Sequence, residues 1–282
     1  MSGSSLSSTQ VRLLVFFYCL SGTSSLAYEV LWARMLSIQF GVSIFGVIAT
    51  ICAFMLGLGI GSIVGVKIEK NNKRMLLLFA GIEASIALIS LLLPRVFSYI
   101  DQWIFQFSAH WSTTGWYFFQ FSMVIVLLLL PALLMGLGFP ILLSVLRNTK
   151  ASISQIYGIN ALGAAFGAIL PLLLLPYIGW LGAIQFVAGI SFCVALGVGV
   201  IALRQSSISA DIENKTLFSV PKQTNALILY AGIGLAALML EIGWTRLFGM
   251  IFLRTEYVLA IILAVKFVSP VCATIFISSP AM

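Results

Sequence analysis

Charge is what this sequence holds least of. Acidic and basic residues fill 8% of its 282 positions, where a soluble domain carries about 25%. The rest is 61% hydrophobic, with a mean hydropathy of +1.13. No soluble core hides that much apolar surface, so the chain reads as a polytopic membrane protein. Histidine is scarcer still, since His110 stands alone. There is no His-Glu metal motif and no Ser/His pair set to converge in the membrane. Catalytic residues, a metal site and a cofactor are therefore not expected. Cys19, Cys52, Cys193 and Cys272 all lie in apolar runs without metal-ligand spacing. That argues against a structural zinc or a disulfide framework. No dense basic patch exists either. The net charge of +7 is spread over loops, which reports membrane topology rather than nucleic-acid binding.

Long apolar runs are what the sequence has in plenty. Eight segments can be drawn, at about 11–34, 41–66, 75–98, 118–146, 155–178, 181–203, 226–250 and 257–279, each near the ~20 residues that cross a bilayer. The first is too long for the core of a signal peptide and has no small-residue cleavage site after it. It reads as a retained helix. Alternate loops sort the basic residues. Arg12, Lys67, Lys70, Lys73, Arg74, Arg147, Lys150, Arg204, Lys215 and Lys222 fall on one side, and Arg34, Arg95, Arg246 and Arg254 on the other. The positive-inside rule then puts the N-terminus in the cytoplasm.

The chain also repeats itself. Tyr28-Glu29-Val30-Leu31-Trp32-Ala33-Arg34 returns as Leu240-Glu241-Ile242-Gly243-Trp244-Thr245-Arg246, with Glu, Trp and Arg 212 residues further on. Gly22 with Gly234, Leu26 with Leu238 and Phe40 with Phe252 match at the same offset. Such self-similarity marks a repeat architecture. Residues 1–203 form the first, six-helix unit, 204–225 a polar cytoplasmic linker, and 226–282 a partial second unit. Six segments before the linker mean the second copy re-enters in the same orientation, as in major-facilitator-type carriers. The expected fold is thus an all-α bundle of about eight helices, a major-facilitator-like repeat plus the start of another. The second copy then loses the first copy's glycine series and carries Lys266 mid-segment. An altered or truncated C-terminus is expected there.

Three acids sit on apolar helices: Glu29, Glu83 and Glu241. A central acid costs about 3 kcal/mol on insertion scales, and each Leu, Ile, Val or Phe returns about 0.3–0.6. The helices still insert, but each acid must face a partner or a cavity. Trp32 and Trp244 follow their acids by three residues, on the same helix face, where each can offer a cation–π contact. Gly57, Gly61 and Gly65 share one face of the second segment, and Gly163 and Gly167 one face of the fifth. Both faces let a neighbouring backbone come close. Asn160 falls near the second of these faces. Pro131, Gly136, Gly138 and Pro140 should kink or break the fourth segment. The aromatic stretch 99–121 reads as an interfacial belt or short surface helix.

Taken together these runs resemble the membrane part of the fused major-facilitator/spermidine-synthase-like bacterial proteins. The matching residues are Ser21-Gly22, Tyr28 to Arg34, Ala53 to Ser62, Pro131 to Pro140, Tyr157 to Gly167, and Leu240 to Arg246. The resemblance implies a multi-pass protein of the bacterial inner membrane. It also implies a soluble aminopropyltransferase-like domain or subunit as partner. No stretch of this chain matches that domain, so aminopropyl transfer can be placed on none of its residues.

Two functions remain from different classes. One is a carrier-like domain for a small cation such as a polyamine, with Glu29, Glu83, Glu241, Trp32, Trp244 and Asn160 as substrate-binding candidates. A carboxyl in a water-poor cavity can exchange its proton for a cationic substrate. The other is a membrane anchor for a synthase domain or partner, in which the acids pair with Arg34 and Arg246. Five residues turn a helix by about 500°, which leaves Glu29 and Arg34 on different faces. Pairing between the copies, Glu29 with Arg246 and Glu241 with Arg34, is the better form of that reading.

Overall fold

The computed structural model describes residues 7–39, 44–69, 74–107, 112–146, 153–205, 224–252, 258, 260–266 and 268. Among these there is no strand. Six helices follow in order: α1 (Ser8–Gln39), α2 (Ile44–Glu69), α3 (Met75–Phe107), α4 (Thr113–Leu146), α5 (Ile153–Gln205) and α6 (Thr224–Phe252). A seventh helical stretch covers the described residues between 258 and 268. Lys70, Lys73, His110, Arg147, Lys150, Lys215, Lys222, Arg254 and Cys272 lie outside the described residues, as does most of the 204–225 linker.

Local signals start these helices. Ser7 and Gln10 form a capping box before α1: the Ser7 amide donates to Gln10 Oε1 at 3.0 Å, and the Gln10 amide to Ser7 Oγ at 3.4 Å. Ser112 caps α4 through the Gly115 amide, at 3.3 Å. Among the described residues five helices are long and apolar enough to cross a membrane: Ser8–Leu36, Ile48–Ile68, Met75–Ile100, Phe121–Leu146 and Ser154–Arg204. Their outward faces carry Phe16, Ile63, Leu88, Val126, Phe166 and Tyr177, all exposed. In water such a surface would aggregate; in lipid it is the solvent-facing side.

The last of these spans, at 51 residues, would reach about 77 Å as one straight helix, more than twice the ~30 Å hydrocarbon core. It does not run straight. Gly179 has φ 66° and ψ −175°, a combination open essentially to glycine alone. Contacts on either side give the chain's direction. Gly163 packs on Cys19 and Gly167 on Thr23, so the first arm runs parallel to α1. Trp180 Nε1 then donates to the Leu31 carbonyl at 3.4 Å, and Gly197 packs on Phe17, so the second arm runs back along it. The fifth and sixth expected segments are the two arms of α5, turned at Gly179.

The other extensive interface is α2 with α4. Gly57 meets Ala132, Gly61 meets Leu133 and Gly136, and Gly65 meets Pro140. Both partners climb together, so these helices are also parallel. At Gly57, Gly61 and Gly136 an added Cβ would overlap the facing helix, which is why the stripe is glycine.

The break expected at Pro131, Gly136 and Pro140 is corrected here: α4 stays helical from Thr113 to Leu146. Pro140 has no N–H for the Gly136 carbonyl four residues earlier. Ser62 of α2 reaches into the gap: its one hydroxyl proton goes to Leu58 O at 2.8 Å and is shared, as the weaker arm of a bifurcated bond, with Gly136 O at 3.3 Å. A neighbouring helix thus partly satisfies the freed carbonyl, as membrane-spanning proline helices require.

Candidate functional site

Polar residues in α1 recur at helical spacing: Tyr18, Ser21, Ser24 and Tyr28. Three, four and seven residues apart, they share one face. That face turns inward against α3 and the second arm of α5. Ser21, Ser24 and Tyr28 are buried there with Glu83 and Ser90 of α3 and Ser191 of α5.

Glu83 is the charged centre of this seam. It is 3% exposed and accepts a hydrogen bond from Ser21 Oγ at 2.5 Å. Tyr18 lies within electrostatic reach of both Tyr157 and Glu83 and packs edge-on against Phe79 at 6.4 Å. Tyr28 is also within reach of Glu83. No Lys or Arg among the described residues pairs with Glu83. Ser24 Oγ donates to the Ser21 carbonyl at 3.0 Å, and Ser90 Oγ to the Ile86 carbonyl at 2.7 Å.

The tyrosine one helical step on is different. Tyr28 is fully buried, and its neighbours are the hydroxyls of Ser90 and Ser191. Neither Tyr28 Oη nor Ser191 Oγ has a well-aligned hydrogen bond, but the three hydroxyls are close enough to serve one another. Trp32 Nε1 has no hydrogen-bond partner. The ring of Trp32 is stacked on Tyr28 at 5.1 Å and 15°, and Phe54 lies against it at 5.7 Å. Its faces are therefore taken, and the cation–π contact expected of it has no open ring to use.

The remaining candidates are scattered. Glu29 is buried on α1, 3% exposed, and Arg34 is half-buried. Asn160 packs on Gly22, where an added Cβ would stand 2.6 Å from its Oδ1. Trp244 is 47% exposed and stacks on Phe248. The side chains of Glu241 and Arg246 lie outside the described residues, and so does the expected pairing between the copies. The hydroxyls of Ser21, Tyr28, Ser90 and Ser191 escaped the sequence reading. Their signal was present as polar residues at helical spacing inside apolar runs. In sequence, however, such residues look the same whether they face a neighbour or bond their own helix.

No protein-family model, curated protein or solved structure matches this chain.

Proposed function

We propose that the chain is a carrier-like membrane domain for a small organic cation, with Glu83 as its binding carboxyl. One observation carries this reading. A carboxyl is buried between three helices with a single hydroxyl donor and no basic partner among the described residues. Intramembrane acids are expensive and mark ion or substrate pathways. A polyamine, cationic and flexible, fits the charge, and the resemblance to the spermidine-synthase-like fusions points to the same class. In this reading the protein sits in a bacterial inner membrane with its N-terminus in the cytoplasm, beside a soluble aminopropyltransferase-like partner.

The packing supports a carrier architecture of the major-facilitator kind. Counting the two arms of α5 as passes five and six, the glycine-lined pairs are one with five and two with four. Exchange passes one to three with four to six, and the first pair becomes the second. An inverted three-plus-three repeat has that symmetry.

The anchor reading is favoured by a different feature. The Ser21–Glu83 bond is closed and buried, as polar contacts that join membrane helices are. Calorimetry of putrescine and spermidine on the detergent-purified chain separates the two. Binding that rises with pH and disappears in Glu83→Gln is expected of the carrier, because proton and cation compete for one carboxyl. No heat at any pH from a folded, monodisperse chain leaves the anchor.

A further inference from the structure

A groove of about 450 Å³ runs along α3, lined by Arg74, Leu77, Leu78, Gly81, Ile82 and Ser85. Steps of three and four residues put all six on one helix face. Arg74, Leu77 and Gly81 are exposed, and so is Leu88 one step further on, so the groove opens outward. Glu83 is two residues from both Gly81 and Ser85, about 200° round the helix. The groove therefore lies on the back of the helix that buries Glu83, and it owes nothing to that carboxyl. We propose that it holds an acyl chain of an anionic phospholipid, with the lipid phosphate at Arg74.

The groove has the length, the floor and the charge for that guest. From Arg74 to Ser85 a helix rises about 16 Å, close to half of the ~30 Å hydrocarbon core. That is the depth of one leaflet, with Arg74 at the headgroup end. Glycine inside a helix is unfavourable unless something needs the space. At Gly57, Gly61 and Gly136 a facing helix needs it, but a Cβ at Gly81 would meet nothing within 4 Å. What the missing side chain leaves open is the groove itself. Ser85 does not make the floor polar, because its hydroxyl donates to the Gly81 carbonyl at 2.8 Å. The Arg74 carbonyl likewise accepts the Leu78 amide at 3.0 Å. Below its cationic end the groove is thus apolar.

That end suits a phosphodiester. The guanidinium of Arg74 offers a fork of five donors that matches phosphate oxygens. Because α3 begins at Met75, the positive end of its dipole lies beside Arg74. The run from residue 67 to 74 that leads into the helix holds Lys67, Lys70, Lys73 and Arg74 against Glu69 alone. A zwitterionic headgroup brings its own cation to these charges and is held less well. A free phosphate would satisfy Arg74 but leave the groove unfilled, and a void forfeits the dispersion contacts of its lining.

The test is native mass spectrometry of the full chain from micelles with equal phosphatidylglycerol and phosphatidylcholine. The parent is expected to retain phosphatidylglycerol about fivefold over phosphatidylcholine, the factor that one basic residue near an anionic headgroup supplies. Arg74→Gln should remove that preference and Arg74→Lys should keep most of it. Gly81→Leu fills the groove with every charge in place. It should lower retained phosphatidylglycerol by a similar factor while Tm holds or rises, since leucine is the better helix former. Equal retention of the two lipids by the parent overturns the site, and so does a preference that survives Arg74→Gln. A preference lost in Arg74→Gln but intact in Gly81→Leu also overturns it, and assigns the selection to the basic run before α3. A lipid-free parent overturns it too. If that parent is dimeric and Gly81→Leu makes it monomeric, the groove belongs to a second copy. Each of these outcomes is independent of cation binding at Glu83.

Discussion

The Glu-x-x-Trp-x-Arg run occurs twice, and its copies meet opposite surroundings. In α1, Trp32 is fully buried between Tyr28 and Phe54. In α6, Trp244 is 47% exposed and touches Phe248 of its own helix. Of the polar seam the second copy keeps Tyr230 at the place of Tyr18 and loses the rest, with Ala236 for Ser24. At the repeat offset Ile233 stands for Ser21 and Leu240 for Tyr28, and both are exposed. Among the described residues a narrow edge of α6 is docked, with Leu238 and Ile242 against the cluster of Leu26, Val30, Ala33 and Ile51 and Thr245 buried. The same motif thus has two fates. What differs among the described residues is the cover: both arms of α5 lie along α1.

The tryptophans should show the largest difference. Trp32→Ala opens a cavity among closely packed rings and is expected to cost about 3–5 kcal/mol. Trp244→Ala removes a half-exposed ring and should cost under about 1 kcal/mol. Thermal unfolding of both variants in the same detergent reads the contrast directly. Equal costs would mean that α6 is covered in solution much as α1 is, and the comparison would fail.

The paired glycines come next. An added Cβ at Gly22 would stand 2.5 Å from the Asn160 carbonyl oxygen, whereas at Gly234 nothing lies within 4 Å. Gly22→Ala should therefore strain the α1–α5 contact by about 1–3 kcal/mol. Gly234→Ala should leave stability unchanged or raise it by up to about 1 kcal/mol, the helix-propensity gain. Unfolding midpoints at matched lipid content decide the signs.

Much of this arrangement could be read in advance. Apolar length placed the five spanning helices, the last drawn as two segments, and small residues four apart marked the two close interfaces, Gly57-Gly61-Gly65 and Gly163-Gly167. Those signals are local, and a single helix carries them whole. What failed was non-local. Pro131 and Pro140 promised a kink or a break; the helix is not broken, and Ser62, 78 residues before Pro140, shares its proton with the carbonyl that Pro140 leaves free. Glu83 stood out as an acid with no basic partner, but nothing in its own run named Ser21. Tyr28 was noticed only as part of a repeated word. Its hydroxyl neighbours, Ser90 and Ser191, come from two other helices, and its own run names neither.

The smallest effect bears on how firmly the second copy is held. Ile51 of α2 is 1% exposed, and Ile242 of α6 packs half-buried against the same cluster. Ile51→Ala should cost about 2–5 kcal/mol, as fully buried positions do. Ile242→Ala should cost about 1 kcal/mol, since one side of its site already faces outward and little cavity is left behind. The informative reading is the shape of the transition, not only its midpoint. If the seam through Leu238 and Ile242 is all that joins the copies, weakening it should split the unfolding into two steps, α6 first. A single cooperative step with a cost as large as that of Ile51→Ala would mean that the copies form one core, and that the exposure of Trp244 says nothing about how tightly α6 is bound.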